Sequence, residues 1–511
     1  NATSGTITLN AQSISADYSG VVADVKAAFA GITTQTGKIT LTDTSVSVAD
    51  INTVAGVTSG EVTATVTSAA ASVLNGLTTT STDAITMTVN AEASSAATQA
   101  SDLVSLNGKT NQVITMTAVT KVSGSYADLL NVYVTNAGQY NGEGDEAVTI
   151  TGTVTATQAD AIADVTSGVV TAASITADTA SALNSALSDA QVNAYTLTIS
   201  AGSAVATDLT SLDSKTSVAV NAAAVTVITG SATEVAAAYA ANPTTGITGL
   251  GNENVTITGT TVATLAELKA INNATSGTIT LNAQSISADY SGSVADVKAA
   301  FDGITTQTGK ITLTDSSVSV TDINTVATVT NGEVTATVTS GAASVLKLLT
   351  TDSNDAITMT VNAEASGATA AADLVSLNGN TNKAITMTAV TSVSGSYADL
   401  ENVYVTNANE YTGEGDEAVS ITGSVTATQA DTIADATSGI VTATITADTA
   451  SELNSALVDS GSQVNAYDLT ISAGSAAATD LTSLDSKTSV AVKAAAVTEI
   501  IGSATEVAAA Y

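Results

Sequence analysis

Cysteine, histidine and tryptophan are all missing from this chain of 511 residues, and arginine is missing too, since all twelve basic residues are lysine. Each absence closes off a class of function. Without His or Cys the common nucleophile–base pairs cannot be assembled, and most transition-metal sites lose their ligands. Without Arg there is no planar fork to clamp a carboxylate or phosphate at two points. Twelve Lys against 47 Asp and Glu leave a formal charge of −35. That charge repels nucleic acid, which is bound by neutralising its phosphates. No disulfide framework exists, so thiol usage says nothing about the compartment. Long apolar runs are missing as well: none reaches the roughly 18 residues of a membrane span. The first residue is Asn1, with no Met and no leader pattern behind it, so a piece of a longer precursor is expected. An enzyme would have to work with Asp, Glu, Lys, Ser, Thr and Tyr alone. No pair of carboxylates stands out for that work, and the expectation is a protein that is not an enzyme.

What remains is mostly Thr, Ser, Ala, Val and Gly, with Pro243 as the one proline. At 44% apolar residues the chain is too hydrophobic for a disordered tail, and it is long enough for several domains. It also repeats itself. "NATSGTITLN" occupies residues 1–10 and again 273–282, and "GSATEVAAAY" occupies 230–239 and 502–511. The period is therefore 272 residues, and the second copy lacks a counterpart of residues 240–272. Two repeat units follow, 1–272 and an incomplete 273–511, as expected of an excerpt from a longer array forming one continuous rod. The copies differ in polar stretches: "GKTNQV" becomes "GNTNKA", and "LSDAQVNAY" becomes "LVDSGSQVNAY". Such slippage marks surface turns.

A finer beat runs inside each copy. "GTITLNA", "GKITLTD", "GEVTATVT", "AITMTVNA", "VITMTAV", "AVTITGT", "GVVTAAS", "YTLTISA", "VAVNAAA" and "NVTITGT" each alternate apolar with small or hydroxyl residues. Period two with β-branched side chains predicts strands. Between them lie helix-like stretches: "TVATLAELKAI" with Val262, Leu265, Leu268 and Ile271, "TASALNSAL" with Leu183 and Leu187, and "ATDLTSL" with Leu209 and Leu212. Asp24, Asp50, Asp102 and Asp208 each precede a large apolar residue, which suits the positive end of a helix. Gly5, Gly37, Gly60, Gly168 and Gly277 stand where a helix-ending glycine would release the chain into the next strand.

Strand, turn, short helix and turn, recurring at this short spacing, make one coil of a solenoid, which cannot bury its apolar side alone. The expected fold class is an α/β repeat solenoid, with a parallel β-sheet spine and short helices or arches on the opposite side. Tandem all-β domains are the alternative, though only "NPTTGITGLGNEN" (242–254) reads as a linker.

Two features carry candidate function. With the apolar strand residues inward, Thr6, Thr8, Thr40, Thr42, Thr63, Thr65, Thr86, Thr88, Thr115 and Thr117 point the other way, as two ladders of hydroxyls and methyls. Such a face is a solvated surface, a lateral docking surface, or an ice- or glycan-binding surface; the Thr-x-Thr spacing resembles the ladders of β-solenoid antifreeze proteins, although the coils here are longer and uneven. The second feature is "YNGEGDEAV" (140–148), which returns as "YTGEGDEAV" (411–419). It gathers Glu143, Asp145 and Glu146, then Glu414, Asp416 and Glu417, as oxygen ligands suited to calcium. It lacks both the EF-hand loop and the glycine-rich nonapeptide of calcium-binding toxins, so a charged surface loop is the other reading.

In texture, segments such as "VTITGTTVATLAELKAINNATSG" resemble the Thr/Ala/Val-rich repeats of giant secreted bacterial cell-surface proteins, including those of marine cyanobacterial motility and surface-layer proteins. That resemblance implies export, an extracellular location at the cell surface and a structural or adhesive role. The partners it implies are neighbouring copies of the same chain, with a glycan or other surface component as a further one.

Overall fold

The computed structural model describes residues 6–188, 190–241, 246–458 and 464–511. Asn1, Gly5, Pro243 with the start of the linker-like stretch, and the two-residue insertion near 460 lie outside the described residues. Contacts divide the chain into two compact units, Asn1–Ile257 with Ala274–Gly277, and Thr258–Asn273 with Thr278–Tyr511. Both are mixed α/β: short helices alternate with short strands from end to end. Tandem all-β domains are thereby set aside.

The first unit is built from small parallel sheets. Tyr18–Gly20, Ile39–Leu41, Val62–Thr65 and Ala84–Thr86 lie side by side in chain order. A second sheet runs Thr98–Gln99, Lys121–Ser125, Ala147–Thr151, Val170–Ala172 and Ala194–Tyr195. Each strand pairs with one a single short crossover away along the chain, as in Ala69↔Val89 and Asn221↔Thr248. A parallel neighbour needs a crossover of at least a dozen residues, and here it holds a short helix and often a strand of a second sheet, such as Ala84–Thr86 between Ala70 and Val89.

One coil shows how the residues dictate this. Ile39 and Leu41 face inward at 0% and 5% exposure, with Thr40 between them facing out. Val46 then bridges to Val66. Ser47 caps the next helix, its hydroxyl accepting from the Asp50 N–H at 3.2 Å and donating to the Asp50 carboxylate at 2.8 Å. The helix Val48–Ala55 buries Ile51 and Val54, three residues apart on one face. Full burial of an isoleucine contributes about 1.5–3 kcal/mol. Asp24, Asp50, Asp102 and Asp208 all fall in first helical turns, as their sequence positions predict.

Neighbouring coils are tied by a recurrent polar link. The Lys26 ammonium, late in one helix, meets Asp50 at the start of the next at 2.6 Å, and this hydrogen bond, helped by Ser47, holds the Asp50 carboxyl below its ordinary range. Where lysine is absent an asparagine amide does the same, from Asn75 to Asp102 and from Asn184 to Asp208, both at 2.9 Å. The ion pairs are exposed, so they set alignment more than they add stability.

The second unit repeats these devices within itself. Tyr290–Gly292, Ile311–Leu313, Val334–Thr337 and Ala356–Thr358 form one parallel sheet. Lys298 meets Asp322 at 2.8 Å, Lys347 meets Asp373 at 2.9 Å, and Asn454 donates to Asp480 at 3.0 Å.

Gly37, Gly60, Gly168 and Gly277 differ from their expected role. None has the positive φ of a helix-ending glycine. Each instead sits where a Cβ would strike the backbone of the preceding coil: 2.1 Å from the Ala16 carbonyl oxygen at Gly37, 2.5 Å from that of Gly37 at Gly60, 2.1 Å from that of Glu146 at Gly168 and 2.2 Å from that of Glu253 at Gly277. Two residues before Gly60, Gly168 and Gly277 stands a threonine, and before Gly37 it is the buried Gln35, whose amide donates to the Ala16 carbonyl at 2.6 Å. Thr166 is 6% exposed, donates to the Glu146 carbonyl at 2.9 Å and accepts from the Gly168 N–H at 3.1 Å. Thr58 with Gly60 and Thr275 with Gly277 reproduce the arrangement. In the second unit Thr330 with Gly332 and Thr437 with Gly439 do so again. These Thr-x-Gly turns fix how closely successive coils approach.

Candidate functional site

The threonine face is more broken than its sequence pattern predicts. Thr6 and Thr8 are exposed and outside any strand. Thr40 lies beside Thr63, but the next neighbour of Thr63 is Ala84. Thr65 lies beside Thr86, and Thr88 beside Thr115 through an isolated bridge. Thr42 and Thr117 lie just past strand ends. Hydroxyl rows continue elsewhere in short stretches, Ser123–Thr149–Thr171 in the first unit and Thr360–Thr386–Thr412 in the second. The outward face thus carries patches two or three coils wide.

Alternation of side chains puts Val169 on the same face as Thr171. Val169 and Val192 are 49% and 54% exposed, and their counterparts Ile440 and Val464 are 52% and 48% exposed. An apolar spot beside hydroxyls therefore recurs once in each unit.

The acidic loops resolve into members with different jobs. Glu146 is fully buried. One of its carboxylate oxygens accepts from the Tyr133 hydroxyl at 3.2 Å and from the Gly144 N–H at 2.8 Å. Tyr133 is delivered by the π-helical turn Asn131–Thr135, and Gly142 and Gly144 take positive φ values of 86° and 105°, which curl the loop back onto the carboxylate. Burial is the main cause that raises the Glu146 carboxyl above its ordinary 4.5, against hydrogen bonds that lower it. The Tyr133 hydroxyl is raised too, by burial and then by the neighbouring Glu146 charge. Glu143 is half-buried, and Asp145 is exposed. In the second unit Glu417 is buried and takes the Tyr404 hydroxyl at 3.2 Å and the Gly415 N–H at 2.8 Å, with Glu414 half-buried beside Asp416.

Glu253, outside both candidate loops, is built the same way. It is fully buried, accepts from the Tyr239 hydroxyl at 3.2 Å and from the Gly251 N–H at 2.8 Å, and its carbonyl takes Thr275. The shared pattern is Gly-x-Glu, a tyrosine 13 or 14 residues earlier, and Thr-x-Gly 20 or 22 residues later. Sequence reasoning passed over Glu253 because "GNE" holds a single acid where "GDE" holds two. In the Glu146 and Glu417 loops one carboxylate oxygen has protein donors and the other is buried without one, and among the described residues no three acidic side chains are placed to hold one metal ion.

The acid in such a loop makes stability depend on pH in a defined sense. A carboxyl whose folded-state value is raised binds its proton more readily when folded, so its favourable contribution is complete below 4.5 and is lost as pH rises through the raised value. Lowering the pH from 7 towards 4.5 is therefore expected to stabilise the native chain relative to Glu146→Gln, read from urea midpoints of the two proteins. A constant difference across that range would show that Glu146 is not titrating as a buried acid.

Elsewhere, a polar hollow of about 290 Å³ in the second unit is lined by Glu333, Asp352 and Asp355. Its acids are occupied: Glu333 pairs with Lys310 at 3.0 Å, and Asp355 accepts from the N–H groups of Val334 and Asp352 at 2.6 and 2.9 Å. No family model matches the chain, and no match was found among curated proteins or among solved structures.

Proposed function

We propose that this chain is a non-catalytic structural segment of a secreted cell-surface protein, a solenoid rod that associates side by side into a layer, sheath or filament. The reading is supported by the recurring alternation of short parallel strands and short helices. In each unit successive strands are parallel, joined by single short crossovers, and locked by Thr-x-Gly turns and helix-to-helix Asp links. Repetition of that kind provides length and a periodic surface. At about 4.8 Å per strand, the ten or so coils of one copy span roughly 50 Å. The location at the cell surface rests on the resemblance of the Thr/Ala/Val-rich repeats.

The contact surface we assign to lateral association is the outward strand face, where Val169, Val192, Ile440 and Val464 sit next to threonines. With a formal charge of −35, neighbouring rods repel. Calcium enters this reading as a counter-ion shared between rods, gathered at Glu143, Asp145, Glu414 and Asp416. Negative-stain microscopy tests it. Sheets or bundles are expected with millimolar calcium and should disperse with chelator. Replacing the four apolar residues by serine should abolish them with the melting temperature moved by less than about 2 °C. Isolated particles under all conditions would overturn the assembly.

A further inference from the structure

A cleft between two helices recurs once in each unit, and the second copy carries groups that the first lacks. In the first unit it lies between Val22–Ala28 and Val48–Ala55, measures about 150 Å³, and is lined by Lys26, Phe29, Ala30, Gly31, Thr53 and Val57 among others. In the second unit it lies between Val294–Phe301 and Val320–Ala327 and measures about 310 Å³. Lys298, Phe301, Asp302, Gly303, Thr325 and Val329 stand there at the matching positions, one period later. Phe29 and Phe301 are the only two phenylalanines of the chain. Phe301 packs edge to face on Tyr290 with ring centres 5.0 Å apart, and with Ile304 and Val329 it makes an apolar floor.

Two exchanges separate the copies here: Ala30 becomes Asp302, and Gly56 becomes Thr328. Both new side chains line the larger cleft, and each directly follows the last residue of one of its two helices. A helix C-terminus is the negative end of the dipole, where a carboxylate is disfavoured and a cation favoured. Asp302 nevertheless stands there, exposed and with no hydrogen-bond or ion-pair partner among the described residues. The Lys298 ammonium does not serve it, being held by Asp322 at 2.8 Å. Thr325 donates to the Thr321 carbonyl at 2.9 Å and Thr328 to the Thr325 carbonyl at 2.7 Å. Their hydroxyls therefore offer the cleft lone pairs only. A residue that breaks a local rule with no structural gain is expected at a functional position.

We infer that the cleft of the second unit binds a small, free organic ammonium ion. Its apolar body lies over Phe301, Ile304 and Val329, and its charged head sits among Asp302, Thr325 and Thr328. Charge complementarity selects the cation, because a carboxylate, two acceptor hydroxyls and two helix C-termini converge on one mouth. The volume is at the lower end of small-ligand clefts. The first-unit cleft is half as large and has Ala30 where the acid would be, so one site per 511-residue chain follows. The inference stands apart from lateral assembly, since it concerns the helices and not the outward strand face.

The test titrates phenethylammonium chloride into the full 511-residue chain and follows backbone amide resonances by NMR. Saturable one-to-one binding is expected, with Kd on the order of 1 mM. Shifts should centre on Gly303, Thr325 and Thr328 and spare the first-unit counterparts Gly31, Thr53 and Gly56. Asp302→Ala should weaken binding at least fivefold and Thr328→Gly about twofold. Each variant restores the residue that the first unit already holds at that position, so folding is not at issue. The neutral analogue 2-phenylethanol should bind at least fivefold more weakly than the amine. Unchanged binding by Asp302→Ala would reduce the effect to diffuse attraction by a chain of charge −35 and overturn the inference. Equal binding of the alcohol, shifts away from the cleft, or no saturation by about 20 mM amine would overturn it as well. So would tenfold tighter binding of a capped lysine, by making the occupant a protein side chain.

Discussion

Gly168→Ala is expected to destabilise the first unit by about 3 kcal/mol, a loss of roughly 6–12 °C in its melting temperature. The added Cβ would lie 2.1 Å from the carbonyl oxygen of Glu146, 2.3 Å from its carbon and 2.7 Å from the nitrogen of Ala147. These are backbone atoms of the neighbouring coil, so no flexible side chain can swing aside. Relief requires the two segments to part, and parting stretches the bond from the Thr166 hydroxyl to the Glu146 carbonyl, 2.9 Å long. Two other glycines grade the effect. At Gly138 a Cβ meets nothing within 4 Å and φ is not positive, so alanine there should change stability by less than about 0.5 kcal/mol. At Gly152 the space is also open but φ is +83°, and a cost of about 1 kcal/mol is expected from backbone strain alone. Thermal unfolding of the three variants should rank them 168, then 152, then 138. Equal effects at 168 and 138 would remove the close-approach explanation.

Glu146→Ala should cost about 2–3 kcal/mol at neutral pH, because truncation strands two donors, the buried Tyr133 hydroxyl and the half-buried Gly144 N–H. It also leaves a void where a fully buried side chain stood. Part of that cost is offset, because the ionised carboxylate is itself held in a place that disfavours charge. Tyr133→Phe removes one hydrogen bond and should cost about 1 kcal/mol. The double variant Glu146→Ala/Tyr133→Phe should cost less than the two single changes together. Denaturant unfolding of the three proteins measures this coupling. Strict additivity would mean that the pair does not act as a unit. Stabilisation by calcium that is lost only in Glu146→Ala would instead make Glu146 itself a calcium ligand.

Much of the fold could be read in advance because its signals are local. Ile39-Thr40-Leu41 alternates as a half-buried strand must, and Asp50 after Ser47 marks a helix start by its own hydrogen bonds. The strands Lys121–Ser125 and Gly202–Val205 gave no such signal, since "KVSGS" and "GSAV" hold little apolar bulk. In the first of them the inward position is small because a helix lies close: at Gly124 an added Cβ would sit 2.6 Å from the Ala100 Cβ. Glycines 37, 60, 168 and 277 were legible as special but not in their role, because the atoms that forbid a side chain belong to the preceding coil. Threonine was ambiguous for the same reason. Thr65 faces out in a strand and Thr166 faces in at a turn, and only the following Gly168 distinguishes them. In the acidic loops composition grouped Glu146 with Glu143 and Asp145, although burial separates them.

Small-angle X-ray scattering of the monodisperse chain at low concentration addresses the proposed solenoid most directly. If the proposed rod is one continuous stack, its roughly twenty coils at about 4.8 Å would give a maximum dimension of about 100 Å, a radius of gyration of about 30 Å and a linear cross-section region typical of a rod. A compact globule of this length would give a radius of gyration of only about 24 Å. A result at that globular value, or a profile of two separate bodies on a flexible tether with no cross-section region, would contradict the stacked-coil account.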